Sequence, residues 1–303
     1  MTIDTAIHTI AILSPGDMGH AVGRALGEHG HNVITCLAGR SERTKALAGQ
    51  GGFNDVADLE ILTKAADLIL SIIPPAAGLA TAESVAAAME RSGAKPHYAD
   101  CNALSPATAG RIADVITGAG APFIDAGIIG PPPGKGQPTR FYVSGADTAP
   151  METLDGKGIV VKPLGREVGR ASGIKMCYAG LSKGTNTLHT AVLMAAQAMG
   201  LSDELRDEFL YSKKDTYAQM QANVGRLPAD SGRWIGEMEE IAASFDAVGV
   251  TPNFHLGAAD VFTLLSRTPL AEETRETMDR SRTLEESVRV YVDQLSQGSE
   301  SDE

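Results

Sequence analysis

The sequence is poor in cysteine, in aromatic residues and in positive charge, and each shortage narrows what the chain can be. Cysteine occurs only as Cys36, Cys101 and Cys177: an odd number, widely spaced and never as CxxC. That pattern excludes a disulfide framework and a thiolate zinc site, and it suits a reducing compartment. The seven histidines show no ligand spacing such as HxxxH, so no metal site is expected. Lysine and arginine total 26 against 38 acidic residues, a net charge of −12. Such a chain repels nucleic acid and anionic membrane surfaces, and must concentrate positive charge locally to hold a phosphorylated ligand. No apolar run approaches the roughly 20 residues of a membrane span. The opening MTIDTAIHTIAILSPG lacks the basic n-region and long apolar core of a signal peptide. The expectation is a cytoplasmic protein whose ligands are small molecules, with neither membrane nor nucleic acid as partner.

What is present points to two domains. At 303 residues, with 43% apolar and 21% charged residues, the chain is long enough for two ordinary cores. Short β-branched runs at 9–13, 32–37, 68–73, 97–101, 123–128, 140–144 and 159–162 read as strands. Helical patterns at 20–28, 43–48, 77–92 and 107–117 separate the earlier ones. That alternation predicts a mostly parallel sheet with helices on both faces. The last strands follow without long helices, so that edge is the place for an antiparallel pair. Beyond Pro163 strand signals nearly vanish. A proline-free stretch, 171–199, places Ile174, Leu181, Leu188, Val192, Ala195 and Met199 at three-, four- and seven-residue spacings, one apolar stripe on one long helix. Further helices are predicted at 204–223, 233–248, 256–266 and 283–294, and the ending SQGSESDE reads as a short acidic tail. The fold class is an α/β Rossmann-like N-terminal domain, residues 1–163, followed by an all-α C-terminal domain, residues 164–303.

The first strand runs into Ser14-Pro15-Gly16-Asp17-Met18-Gly19 and then a helix. This is the strand–turn–helix setting of a dinucleotide fingerprint, with serine in place of its first glycine. Gly16 lets the backbone approach a pyrophosphate, Gly19 lets the helix pack on the strand, and the helix N-terminus offers free N–H groups and partial positive charge. The second strand ends without the acidic residue that accepts from the ribose of NAD; Arg40, Ser41 and Arg43 cluster just past it instead. Two guanidinium groups and a hydroxyl suit a 2′-phosphate, so the expected cofactor is NADP. The plainer alternative is that Ser41 caps the next helix and the arginines are solvated. The third strand leads into Ile73 and Pro74, which together with Asn102 border the carboxyl-end rim where ligands of such sheets lie. Asn102 is a candidate for the nicotinamide amide or the substrate; a turn role is equally open.

At the domain junction the stretch from Gly165 to Gly180 is glycine-rich and places Lys175 in the first turns of the long helix. At about 100° per residue Lys175, Ser182, Asn186 and His189 share one narrow face, with Ala179 among them. A lysine in a partly dry cleft can exchange protons near neutrality. On periodicity alone an ordinary polar helix face explains the pattern as well.

Three stretches resemble one family. Ser14–Gly19 followed by Gly30-His31-Asn32-Val33 resembles the opening of the β-hydroxyacid dehydrogenases, the group that includes 6-phosphogluconate and 3-hydroxyisobutyrate dehydrogenases. Phe123-Ile124-Asp125-Ala126-Gly127-Ile128-Ile129-Gly130 is similar to the family's substrate loop, and Gly169–Lys175 to its catalytic lysine motif. The resemblance implies hydride transfer between NADP and a small β-hydroxy acid or related hydroxyl or carbonyl compound. It also implies Lys175 as general acid/base, Gly130 in the loop that receives the substrate carboxylate, and a homodimer.

The chain departs from the family at the site itself. Ala179 stands where the family has asparagine, and Ile129, Gly130 and Pro131-Pro132-Pro133 replace its serine and paired glycines. Tyr178, Ala179 and Ser182 hold the places of the His-Asn pair and glutamate of 6-phosphogluconate dehydrogenase, which speaks against decarboxylation of 6-phosphogluconate. Tyr178, Lys183 and Asn186 are candidates to contact substrate instead, and each is equally acceptable as helix surface. Two other readings stay open: an imine or ketone reductase, against which Lys175 speaks because those enzymes typically lack it, and a non-catalytic NADP-binding sensor. Trp234 reads as a core or interface anchor.

Overall fold

Strand–helix alternation in the first half and uninterrupted helical periodicity in the second produce two compact units, residues Met1–Tyr178 and Ala179–Glu303. The computed structural model describes residues 7–274 and 277–299. The first six residues and the last four, which include the end of the acidic tail, lie outside the described residues.

The first unit runs β1 (Thr9–Leu13), α1 (Asp17–Glu28), β2 (Asn32–Thr35), α2 (Glu42–Gln50), β3 (Asn54–Asp55), α3 (Leu59–Ala65), β4 (Leu68–Ser71), α4 (Gly78–Ser92), β5 (His97–Asp100), α5 (Pro106–Gly118), β6 (Phe123–Ile129), β7 (Arg140–Ser144), α6 (Ala149–Glu152) and β8 (Val160–Pro163), and then enters α7 (Arg170–Met199). The sheet order is β3-β2-β1-β4-β5-β6-β7-β8. All neighbours are parallel except β6 and β7, which pair antiparallel from Asp125↔Ser144 to Ile129↔Arg140. The expected antiparallel edge is therefore a single pair, because β8 returns parallel to β7. Strand order reverses between β1 and β4, so the carboxyl end of β1, where the fingerprint begins, is the switch point at which such sheets bind ligands.

Side-chain alternation in the strands sorts the core onto two faces. Ile10, Ile12, Leu68, Leu70, Ile124 and Ile128 join Val22 and Leu26 of α1 on one face. Ala11, Leu13, Ile34, Ile69 and Tyr98 join α3, α4 and α5 on the other. Both faces are covered, so the strands read as continuous apolar runs rather than as polar–apolar alternation. Each fully buried isoleucine or leucine contributes about 1.5–3 kcal/mol through area removed from water.

The second unit contains the remainder of α7 and then α8 (Ser202–Ser212), α9 (Lys214–Asn223), α10 (Pro228–Asp246), α11 (Asn253–Ser266) and α12 (Leu284–Ser299). The helix expected at 204–223 is two helices, broken where Lys213 takes φ −142° and ψ 46°. Gly180 and Gly184 form a notch on α7 that receives the His255 ring from α11; a Cβ at Gly180 would lie 3.2 Å from it. Trp234, half-buried, packs on Phe262 with ring centroids 5.2 Å apart. The expected apolar stripe of α7 does not bury itself within the chain: Leu181 is 74% exposed, Leu188 63% and Met199 70%.

Candidate functional site

The fingerprint loop leaves β1 through Ser14, which adopts φ +53°, the left-handed conformation that glycine would supply at this position. It is the only non-glycine among the described residues with positive φ. Pro15 is buried, and Gly16 precedes α1 without a side-chain cap, leaving the first N–H groups of the helix unclaimed by side chains. A Cβ added at Gly16 would meet nothing within 4 Å, whereas one at Gly19 would come within 3.2 Å of Ile12 Cγ2. The two glycines thus have different tasks: Gly16 keeps the approach to the helix end open, and Gly19 seats the helix on the strand. Met18 packs against the core from a half-buried position. The donor set fits the pyrophosphate of a dinucleotide.

Beyond β2 the turn Leu37–Arg40 leads into α2. Ser41 is the N-cap of that helix, its Oγ accepting from Thr44 N at 3.3 Å. Arg43 Nη2 donates to Asp17 Oδ1 at 2.6 Å, tying the start of α2 to the start of α1. Arg40 is exposed and has no side-chain partner among the described residues. The three residues expected at a 2′-phosphate therefore lie together, but Ser41 and Arg43 already hold local partners. Sequence reasoning missed Asp55: its Oδ1 accepts from Leu37 N at 2.9 Å and ends the second strand two residues earlier than its apolar pattern.

On the neighbouring rim Asn102 is 3% exposed and its carboxamide is committed. Oδ1 accepts from Ile73 N at 2.7 Å, and Nδ2 donates to Asp100 Oδ2 at 3.0 Å and Ser71 Oγ at 3.1 Å. Asn102 thus ties the end of β5 to the end of β4 and fixes Ile73, with the exposed Pro74 following. Asp100 beneath it is itself buried, and burial pushes its carboxyl up to about 7 against the hydrogen bonds from Asn102.

Lys175 enters from α7. Its Nζ donates to the Ile128 carbonyl at 2.7 Å, at the carboxyl end of β6. The helix approaches because residue 127 is glycine: a Cβ there would lie 2.6 Å from Ala171 O and 2.9 Å from Lys175 Cβ. The start of α7 is held by Asp125, a fully buried carboxylate in the same strand. Its Oδ2 accepts from Gly169 N at 2.8 Å, from Ala171 N and Ser172 N at 3.1 Å, and from Ser144 Oγ at 3.0 Å. Its Oδ1 accepts from Ser172 Oγ at 2.5 Å. The signal for Asp125 was present in the sequence as one charge inside an otherwise apolar strand; such a charge is buried only with a full set of partners.

Gly130 follows β6 with φ +115°, and Thr139 Oγ1 donates to Pro131 O at 2.6 Å, closing the proline loop. Tyr178, half exposed, ends the first unit. Lys183 and Asn186 lie on the part of α7 that belongs to the second unit. There Lys183 Nζ pairs with Glu237 Oε2 at 2.8 Å and sits 5.5 Å from the Trp234 ring, so its charge is already matched by a buried acid that the sequence did not flag. Asn186 is half buried. His189, expected on the lysine's polar face, is buried, and desolvation lowers its pKa. Gly180-Leu181-Ser182-Lys183-Gly184 spells the Gly-x-Ser-x-Gly of a nucleophile elbow, but it lies inside α7 rather than at a strand-to-helix turn, so Ser182 is not presented as a nucleophile.

Residues 9–155 match the NAD binding domain of 6-phosphogluconate dehydrogenase. Residues 9–155 therefore form a 6-phosphogluconate dehydrogenase-like NAD binding domain. Residues 196–265 match a second family, a domain of unknown function (DUF1932). A curated relative is an uncharacterized 28.5 kDa protein of Methanothermus fervidus, 31% identical over 173 residues. These are 57% of this chain, and they span 65% of that relative's length. Among solved structures, a conserved protein of unknown function described as similar to 3-hydroxyacid dehydrogenases is 24% identical over 85% of this chain and 97% of its own, with a TM-score of 0.63. The 3-hydroxyisobutyrate dehydrogenase of Mycobacterium tuberculosis, solved with L-serine, is 17% identical over 94% and 99%, with a TM-score of 0.67. These similarities establish the fold: a Rossmann-like domain followed by a helical region. Among the described residues no group of histidine, cysteine, aspartate or glutamate side chains has the arrangement of a metal site. No helix among them is long and apolar enough to cross a membrane.

Proposed function

We propose that this chain is an NADP-dependent oxidoreductase of the β-hydroxyacid dehydrogenase type. It would act on a small β-hydroxy acid or a related hydroxyl or carbonyl compound, with Lys175 as general acid/base. The observation that carries this reading is the 2.7 Å bond from Lys175 Nζ to the Ile128 carbonyl. It holds a basic nitrogen at the carboxyl end of β6, on the edge of the parallel sheet where the fingerprint loop also lies.

In this reading the uncapped N-terminus of α1 and the open approach at Gly16 receive the pyrophosphate, between Ser14, Pro15 and Asp17. Arg40, with Ser41 and Arg43, takes the 2′-phosphate. Ile73 and Pro74, fixed by Asn102, wall the nicotinamide, which supplies or accepts the hydride. Lys175 takes the proton from the substrate hydroxyl on oxidation and returns it on reduction. The bond to the Ile128 carbonyl fixes the nitrogen in place, and the lone pair of the neutral amine takes up the proton. Gly130, Tyr178, Lys183 and Asn186 are the proposed substrate contacts. Since Glu237 already balances Lys183, a charged substrate group would have to compete with that pair. The exposed apolar stripe of α7, with Leu181 and Leu188 seven residues apart, supports a homodimer. The free cysteines suit the cytoplasm.

The test is Lys175→Ala, assayed with NADPH and a panel of short β-keto acids and aldehydes. Turnover is expected to fall about 10²- to 10⁴-fold while the NADPH dissociation constant stays within twofold of wild type. Unaltered turnover in the variant refutes the assignment. Tight NADPH binding with no turnover across the panel in wild type would favour the sensor.

A further inference from the structure

A buried carboxylate is a costly way to cap a helix. Serine, threonine or asparagine at the helix's own N-cap satisfies the first N–H groups without desolvating a charge. Helix α7 lacks that device, because Gly169 stands just before it with φ +98° and no side chain. A Cβ there would lie a tight 3.1 Å from Pro106 Cβ, and the positive φ strains any L-residue, so both disfavour a capping side chain at this position. The cap comes from the sheet instead. Asp125 accepts the N–H groups of Gly169, Ala171 and Ser172 and the hydroxyls of Ser144 and Ser172. Two residues along the same strand, Gly127 removes the methyl that would push α7 away. One residue further, the Ile128 carbonyl receives Lys175 Nζ. A cap on the helix itself would only end it; a cap from β6 also fixes where the helix stands on β6.

Resting on the reading of Lys175 as the acid/base, we propose that Asp125 is its positioning residue. Its carboxylate pins the first turn of α7 to β6 and so keeps the lysine nitrogen on the Ile128 carbonyl. Ser144 and Ser172 hold the carboxylate in the orientation that faces the helix end.

Asp125→Asn tests this in the full-length chain without a known substrate. An amide keeps the size of the carboxylate but loses its charge: its oxygen meets the N–H groups as a neutral, weaker acceptor, and its NH₂ turns to the Ser172 hydroxyl. Amides 169–172 are followed by hydrogen exchange, and trinitrobenzenesulfonate labelling of Lys175 is read by peptide mass against Lys157, a half-buried lysine of the same unit. Exchange at 169–172 should accelerate about tenfold or more, and the Lys175 to Lys157 labelling ratio should rise at least a few-fold as the first turn opens. A merely stabilising role would alter both lysines of the unit alike and leave the ratio unchanged, which overturns the proposal. Ser172→Ala removes only one hydroxyl donor, so it decides the matter if the asparagine variant does not fold. The same contrast is expected from it in smaller measure. Retained turnover in Lys175→Ala refutes the acid/base reading alone, whereas an unchanged labelling ratio refutes positioning alone.

Discussion

Replacing Ser14 by glycine should make the protein more stable. The residue holds φ +53° at the turn from β1 into α1, a conformation that costs an L-amino acid about 1–2 kcal/mol. Its hydroxyl has no partner among the described residues that would offset this. Glycine removes the penalty but gives the unfolded chain more freedom to lose, about 0.4–1 kcal/mol. The balance is roughly 0.5–1 kcal/mol in favour of the variant, or about 1–4 °C in Tm for a unit of this size. Thermal unfolding should be followed by circular dichroism, since the only tryptophan, Trp234, reports on the other unit. Ser14→Ala serves as the control, being an L-residue with the same strain and no hydroxyl. If the glycine variant melts no higher than the alanine variant, strain at this turn is not what the backbone angle implies. Strain of this kind is commonly stored at functional sites, so NADPH affinity should be measured alongside.

Four further outcomes are expected. Arg40→Ala should weaken NADPH about 10- to 100-fold, the worth of a charge-assisted phosphate contact, and leave NADH unchanged. Asp17→Asn should tighten NADPH a few-fold by releasing Arg43, and equal effects on both cofactors would refute the pocket. The carboxyl of Asp100, raised from 3.8 to about 7 by burial, binds its proton more tightly folded than unfolded. Its contribution to stability is therefore complete below about pH 4 and is lost as pH rises to about 7, a change of about 4 kcal/mol at most. Chemical denaturation between pH 4 and 8 should show that slope in wild type and a flatter one in Asp100→Asn; parallel curves would contradict it. Leu181→Glu with Leu188→Glu should give a monomer by sedimentation if the wild type is a dimer joined along α7, and an unaltered dimer would exclude that face.

The fold was legible wherever apolar runs were long enough to carry a period. The bounds of β1 and β7 coincide with their sequence patterns, and α7 extends only one residue beyond its pattern, to Arg170. What escaped was short or decided by tertiary contacts. β3 is the two polar residues Asn54 and Asp55, with no periodicity to read, and α3 follows it for seven residues from an Asp58 cap. β2 stops at Thr35 because Leu37 N turns to the Asp55 side chain. The residue types of the site were visible, but their commitments were not. Asn102, Arg43 and Lys183 each looked available and each holds a protein partner, because hydrogen-bond partners from distant strands and helices leave no mark in a local pattern; Ser41 takes the helix-cap role that its local pattern also offered. Asp125 was quoted within a motif, yet its task emerged only when Ser144 and the start of α7 were placed beside it.

The space at Gly127 has a consequence for how this kind of site can drift in evolution. The strand and the helix touch there because one methyl group is missing, since its carbon would fall 2.6 Å from the Ala171 carbonyl oxygen. Even alanine must pry α7 off β6. Both anchoring bonds of the lysine helix, at Asp125 and at Ile128, are too short-ranged to survive a displacement of much more than half an ångström. Position 127 therefore acts as a gauge block. A descendant free to change Ala179, Ile129 and the proline loop can do so while this one absent side chain keeps the Lys175 nitrogen at a constant height above the sheet.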